Sequence, residues 1–398
     1  MSSSLVLSKD AQVTHTTSNG TTTPDGTTVG VTVGATTPDI AQTSRNARNA
    51  QDAQDAQNST IDIAAQPAGV TDGPTTPAAT TPAPATRRTG TVKAAPVPPR
   101  LTTTVPAEYV HRAALAEVFL TGCEKTGPET YILTGQWPRA HTFFNTLDGR
   151  HDHLQACETF RQTGIYLAHA EHGIPLGHHF VMQDMTMTTH PEHLTIGSTP
   201  TNLTLHTTLS RPGRSPQFTI TLKITDPQGQ TLSTGYGHFT CISPAAYHRM
   251  RTASNPDNTT DPTTHTLKAL VHTPTHQDPS IYGRVHSRDL VLAPTHQPRT
   301  YRLNPHPAHP VLFDHDGDHL PGMVLIEAAR QATYPHPPTT QLTHTQTTFH
   351  HYVELTTPTT VTATPPTHTR DTTTHTVTTH QNGRLTHTTT LTHTHSQR

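Results

Sequence analysis

Two short segments 169 positions apart carry the same residues at the same spacing: Glu158-Thr159-Phe160-Arg161-Gln162 and Glu327-Ala328-Ala329-Arg330-Gln331. Around them lie further echoes. Arg139-Ala140-His141 is matched 168 positions on by Pro307-Ala308-His309, and Val110-His111-Arg112 is echoed by Val285-His286-Ser287-Arg288. A near-constant offset across separate landmarks predicts a tandem duplication of one strand-helix-sheet unit. In the second copy, Asp318 to Ala332 reads as a helix that opens at Pro321-Gly322 and is apolar on nearly every face, so it should be buried. Yet Glu327 and Arg330 sit three apart on one face of it, which makes them either a private ion pair or a site open to a ligand. In the first copy a helix begins near Asp152, which has capping-box spacing to Gln155, and stops at Gly173 with Pro175 beyond.

The rest of the chain organises around these two helices. Residues 1–100 are rich in Thr, Pro, Ala, Gln, Asn and Gly with almost no aromatics, and should form a disordered extension, because they bury too little apolar surface to offset ordering entropy. The run Asn46 to Gln57 could form a weak polar helix. The first repeat is expected over 101–245: short strands at Tyr109 to Arg112, Val118 to Leu120 and Thr130 to Leu133, then the helix, then several antiparallel strands up to Ile242, an α+β layout. A Pro/Thr-rich linker is expected over 246–280, followed by the second repeat over 281–398. From Gln341 its strands alternate Thr and His around an Asn382-Gly383 hairpin turn.

Composition narrows the function classes. A net charge of −2 offers no electrostatic reason for a nucleic-acid or anionic-membrane partner. Cys123, Cys157 and Cys241 are an odd number without C-x-x-C spacing, so neither a disulfide framework nor a structural zinc site is indicated and a reducing cytoplasm fits. No apolar run approaches membrane-spanning length, and no signal-peptide core precedes the first repeat, so a soluble, non-secreted protein is expected.

The segment Pro321-Gly322-Met323-Val324-Leu325-Ile326-Glu327-Ala328 resembles the central-helix motif of β-hydroxyacyl thioester dehydratases, which have the hotdog fold, a helix wrapped by a curved antiparallel sheet. The chain is more similar to the A-factor biosynthesis (AfsA-type) hotdog family. That resemblance is carried by Val110-His111-Arg112, Gln136-Trp137-Pro138-Arg139-Ala140-His141, Glu158-x-x-Arg161-Gln162, His169 to His178, and Asp314-His315-x-x-Asp318-His319-x-Pro321-Gly322-Met323. It runs from about residue 105 to the end and is thinnest over the Thr/His-rich tail. It implies two fused hotdog repeats that pair within one chain. It also implies an acyltransferase that joins a β-ketoacyl thioester, on acyl carrier protein or coenzyme A, to the hydroxyl of dihydroxyacetone phosphate, in the synthesis of γ-butyrolactone signals that govern secondary metabolism. No cofactor is implied.

Such chemistry needs a base for the hydroxyl, donors for the developing oxyanion, and the exclusion of water. Glu327 is expected as the base, the N–H groups at Gly322 and Met323 as oxyanion donors, and Arg330 as the partner of the acceptor phosphate. Glu158 and Arg161 form the corresponding pair of the first repeat, which lacks the Pro-Gly opening and ranks second. The alternative for both pairs is a structural ion pair. His315 and His319 flank the start of the second helix, where chemistry and helix capping both remain open. Arg139 and His141 are expected in substrate binding. The cluster His169, His172, His178, His179 has helical spacing that could supply two metal ligands, but no carboxylate or cysteine completes it, so no metal is expected. Cys157 points about 100° away from Glu158 on a helix and reads as core. The alternatives to acyl transfer are thioester hydrolysis, β-hydroxyacyl dehydration, and a non-catalytic acyl or lactone binder.

Overall fold

The computed structural model describes residues 103–253, 267–315, 317–334 and 340–395. The extension expected over 1–100, including the run Asn46 to Gln57, lies outside the described residues. The first half runs β1 (Leu120–Lys125), β2 (Thr130–Trp137), helix α1 (His153–Ala170), β3 (His179–Thr189), β4 (Thr201–Ser210), β5 (Gln217–Thr225) and β6 (Thr231–Ile242). Helix α2 (Pro244–Ala253) follows. The second half runs β7 (Leu292–Pro294), β8 (Thr300–Leu303), helix α3 (Gly322–Thr333), β9 (Thr340–Phe349), β10 (Thr359–Ala363), β11 (Thr367–His368), β12 (Thr372–Gln381) and β13 (Arg384–His395). Among the described residues no helix is long and apolar enough to cross a membrane.

All the strands join one antiparallel sheet in the order β1-β2-β4-β5-β6-β3-β9-β13-β12-β10-β8-β7, with β11 beside β12. Read outward from the middle, both halves have the same strand order. They are joined where β3 pairs β9, with Asp184 opposite Thr348 and Thr188 opposite His344. Each half therefore carries its helix between its second strand and the strand at the junction. The duplication read from the sequence is a duplication of topology.

Strand alternation turns one face of each half onto its helix. In β5, Phe218, Ile220, Leu222 and Ile224 are buried while Thr221 and Lys223 are exposed, the period-two pattern of a half-buried strand. Helix α1 lies close on β6 because that strand is thinned by glycine: a Cβ at Gly235 would stand 2.6 Å from the Phe160 ring. The second half buries fewer large side chains and fills part of its interior with hydroxyls. His387, fully buried, meets the hydroxyls of Thr347 at 2.7 Å and Thr389 at 2.8 Å through Nε2, so this buried imidazole is satisfied by its threonine neighbours. The hairpin turn falls at Asn382-Gly383, both with positive φ, the geometry that a two-residue I′ turn demands.

Two local expectations change. Tyr109 to Arg112 is not a strand: Pro106 opens a 3-10 turn over Ala107–Val110, which ends at His111 in the left-handed region with φ 52°. The segment 246–280 is not a bare linker at its start. Helix α2 buries Tyr247 and Arg251, whose i,i+4 spacing puts both on one face.

Candidate active site

The two Glu/Arg/Gln motifs build matching buried networks. Glu158 Oε1 accepts from Arg112 Nε at 3.0 Å, Arg161 Nη2 at 2.8 Å and Gln162 Nε2 at 2.8 Å, and Oε2 accepts from Arg161 Nε at 2.9 Å. In the second half Glu327 accepts from Arg284 (2.8 and 2.6 Å), Arg330 (2.8 and 2.8 Å) and Gln331 (2.6 Å). The outer bonds repeat as well. Gln162 accepts from the Phe119 N–H and donates to the Glu117 carbonyl, as Gln331 does with Val291 and Asp289.

Each network is tied across to the opposite half. Arg112 Nη1 donates to the Val311 carbonyl at 2.7 Å, and Arg284 Nη1 donates to the Phe143 carbonyl at 2.7 Å and to Asp152 at 2.8 Å. The turns that present these carbonyls are shaped by His309 and His141, whose Nδ1 atoms accept from Val311 and Leu312, and from Phe143 and Phe144. The result is a reciprocal clasp between the halves. Burial pushes both carboxyls toward the neutral form, but the guanidiniums facing each one outweigh it and hold both at about 2.

Beside this clasp a cavity of about 1760 Å³ opens between the halves. Its apolar wall includes Phe160 and Ile165 of α1, Phe180 and Met185 of β3, and Leu325 and Ile326 of α3. Arg161, His111, His315, His319 and the start of α3 at Pro321, Gly322 and Met323 also line it. The two helix starts differ here. Asp152 caps α1 by accepting from the Leu154 N–H at 2.9 Å, whereas the cap of α3 is Pro321, which has no side chain to offer. The first-turn N–H groups of α3 therefore keep their partial positive charge for a ligand.

Next to that helix start stands a supported histidine. His319 Nδ1 lies 2.6 Å from Asp318 Oδ1, and the Tyr247 hydroxyl donates to both Asp318 oxygens at 2.8 Å. Arg251 of α2 reaches Asp318 at 3.3 Å while its fork holds Glu354 at 2.6 and 2.8 Å. Burial opposes the charge on Asp318, but the hydrogen bonds from His319 and Tyr247 and the nearby Arg251 hold it well below the usual carboxylate range. An ionised Asp318 accepts a proton-bearing Nδ1 from His319. The neutral imidazole then carries its lone pair on Nε2.

This geometry redraws the expected site. Gly322, Met323, His315, His319 and Arg161 are in the cavity wall; Glu327, Arg330, Glu158, Arg139 and His141 are not. Glu327 and Glu158 are both wholly buried with their oxygens taken by guanidiniums and an amide, so neither is placed to receive a proton from a substrate hydroxyl. Arg330 sits under the Tyr334 ring at 5.9 Å and so does not face an acceptor in the cavity. Arg139 donates to the Gly197 carbonyl, and His141 shapes the turn already described. Of the histidine cluster, His169 Nδ1 bonds the Ile174 carbonyl, His172 meets Tyr131, and His178 and His179 line the cavity, His179 stacked on Tyr247. Cys157 is fully buried against the cavity wall, and burial pushes its thiol well up.

Arg284 was missed by sequence comparison, which paired Arg112 with Arg288; Tyr282-Gly283-Arg284 is the true counterpart of Val110-His111-Arg112, at an offset of 172. The signal was the positive-φ position, His in one copy and Gly in the other. Tyr247 and Arg251 were missed because they lie in a segment read as linker.

A model of the A-factor biosynthesis hotdog domain matches residues 94–243 and 265–396. A 2-oxo-3-(phosphooxy)propyl 3-oxoalkanoate synthase of Streptomyces virginiae is 40% identical over 277 residues, 67% of this chain and 88% of the relative. One with the same description from Streptomyces coelicolor is 33% identical over 275 residues, 65% of this chain and 82% of the relative. Among solved structures, an acyl-ACP thioesterase from Bacteroides thetaiotaomicron aligns at 10% identity and a TM-score of 0.39, covering 66% of this chain and 97% of that one.

Proposed function

The chain belongs to the A-factor biosynthesis hotdog family, and on that premise we propose that it is an acyltransferase joining a β-ketoacyl group, delivered as a thioester, to the hydroxyl of dihydroxyacetone phosphate. The product named for its relatives, a 2-oxo-3-(phosphooxy)propyl 3-oxoalkanoate, is the ester such a reaction yields. The observation that carries the reading is the Asp318–His319 pair at the uncapped start of α3, inside a cavity with apolar walls.

The steps follow from that arrangement. His319 Nε2 takes the proton of the acceptor hydroxyl as the oxygen attacks the thioester carbonyl. Asp318 holds the tautomer and stabilises the imidazolium. The oxyanion draws on the N–H groups of the first turn of α3 at Gly322 and Met323. Collapse expels the thiolate, which takes its proton back from His319, so atoms and charge balance. Phe180, Met185, Leu325 and Ile326 line the space for the acyl chain and limit the water that would hydrolyse the thioester. Glu158 and Glu327, with their arginines, act in this reading as the clasp that fixes the two helices. Acyl carrier protein and coenzyme A are both suitable donors, and a reaction drawing on them suits the cytoplasm.

The mass of the product is the test. Incubated with a 3-oxoacyl thioester and dihydroxyacetone phosphate, the protein should yield the phosphorylated ester; a free 3-oxo acid as the main product would refute the proposal.

A further inference from the structure

We propose that the end of the cavity built by the first half is a phosphate-monoester subsite, with Arg161, His111 and His315 as its donors. The proposal rests on the acyl-transfer reading above and gives the phosphate of the acceptor a place within it.

The two halves treat equivalent arginines differently. Arg330 has 9% of its side chain exposed and is covered by Tyr334, whereas Arg161 has 22% exposed and faces the cavity. At the Tyr334 position the first half has Ile165, 169 residues earlier, a cavity-lining aliphatic residue with no ring to lay over the guanidinium. Position 111 differs in the same sense. Its counterpart Gly283, at φ 65°, has little room for a side chain: a Cβ there would stand 3.0 Å from the Tyr334 ring and 3.1 Å from Arg330 Nη1, so those side chains would have to shift. The first half puts a histidine into that same left-handed turn, at φ 52°. A non-glycine residue is disfavoured in that region, and an imidazole held there beside an open guanidinium points to a role in the cavity.

The imidazole is also oriented. His169 Nδ1 lies 2.7 Å from the Ile174 carbonyl, which can only accept, so neutral His169 has its lone pair on Nε2. His111 Nε2 lies 2.9 Å from that atom and must supply the proton of the bond. Nδ1 of His111 is the nitrogen left for a ligand. The groups facing it are cationic or neutral: Arg161 and His169 on α1, His179 on β3, and His315 from the loop before α3. Burial, then the charge of Arg161 and the neighbouring imidazoles, pulls His111 down to about 3, and burial with Arg161 and Arg112 lowers His315. The nearby carboxylates are committed elsewhere, Glu158 to its arginines and Asp314 to the Ala113 and Ala114 N–H groups. A phosphate dianion supplies the missing negative charge: it accepts from Arg161 and allows His111 Nδ1 to take a proton from solvent and donate it.

Two measurements on the full-length protein test this. Dihydroxyacetone phosphate, titrated alone at pH 7 into the protein in two buffers of different ionisation enthalpy, should bind with net proton uptake. His111→Gly, the residue used in the same turn of the other half, and His111→Asn, which tolerates that turn without a charge, should both lose that uptake. In ester formation both should raise KM for dihydroxyacetone phosphate at least about tenfold relative to KM for dihydroxyacetone, the scale of one hydrogen bond to a charged group. Wild-type proton uptake and KM in both variants would overturn the subsite, as would a loss confined to kcat. Absence of ester from either acceptor in the wild type would instead sink the acyl-transfer reading, while the titration would still report on the subsite.

Discussion

Replacing Arg284 with methionine should cost about 3–5 kcal/mol of folding stability, the usual scale for removing one partner of a buried ion pair. Arg284 is 1% exposed and serves both halves, donating to Glu327 twice, to Asp152 and to the Phe143 carbonyl. Methionine fills much of the volume but leaves Glu327 with one guanidinium, Asp152 with a single backbone donor, and the carbonyl without this partner. Against a typical domain stability of about 5–15 kcal/mol, a loss of that size is readily measured by urea unfolding at pH 7. Adding Glu327→Gln should cost much less than the sum of the single losses, because the second change removes the charge that the first left unpaired; the coupling should reach about 1–3 kcal/mol. Turnover of the folded fraction should stay within a factor of several, since neither side chain lines the cavity. A stability loss under about 1 kcal/mol, strict additivity, or a thousandfold fall in kcat in well-folded Glu327→Gln would refute the assignment of this pair to the clasp.

Other outcomes follow from the same structure. His319→Gln should lower kcat by about 10²–10⁴ with unfolding unchanged within about 1 kcal/mol, and Asp318→Asn should lower it by a smaller factor; a fully active His319→Gln would remove the proposed base. Acid should destabilise the fold in two stages. Burial holds His151 and His153 at about 4 and His387 at about 3, below their unfolded value, so the unfolded chain binds more protons and stability falls as pH drops from about 6.5 toward those values. Glu158 and Glu327, whose folded values lie below the unfolded one, add a second loss between about pH 5 and 2. Proton uptake on urea unfolding at pH 5.5 checks the first stage: these three histidines and His111, also held at about 3, should together take up more than about three protons, and uptake near zero would contradict it.

The fold was largely legible because duplication leaves a periodic trace. Glu-x-x-Arg-Gln recurs at a fixed offset since both copies bury the same carboxylate under the same amide, and Asn382-Gly383 announces its turn by backbone preference alone. The site was legible only in part. Sequence shows that Glu327 lies on a buried helix, but whether a buried carboxylate faces a cavity or a second guanidinium depends on Arg284, more than 40 residues away and bound through a turn that aligns by conformation, not by side chain. Similarly, Tyr247 and Arg251 occupy one turn of a helix in a polar stretch, and nothing in their spacing says that they reach Asp318. The Gly322-Met323 helix start was found because proline followed by glycine before an apolar run is a local signal that needs no tertiary partner.

The release of free thiol from a 3-oxoacyl thioester, followed with and without dihydroxyacetone phosphate, separates acyl transfer from hydrolysis. Acyl transfer predicts thiol release that depends on the acceptor, with one ester formed for each thiol freed. Release at the same rate without the acceptor, leaving the free 3-oxo acid, would contradict it.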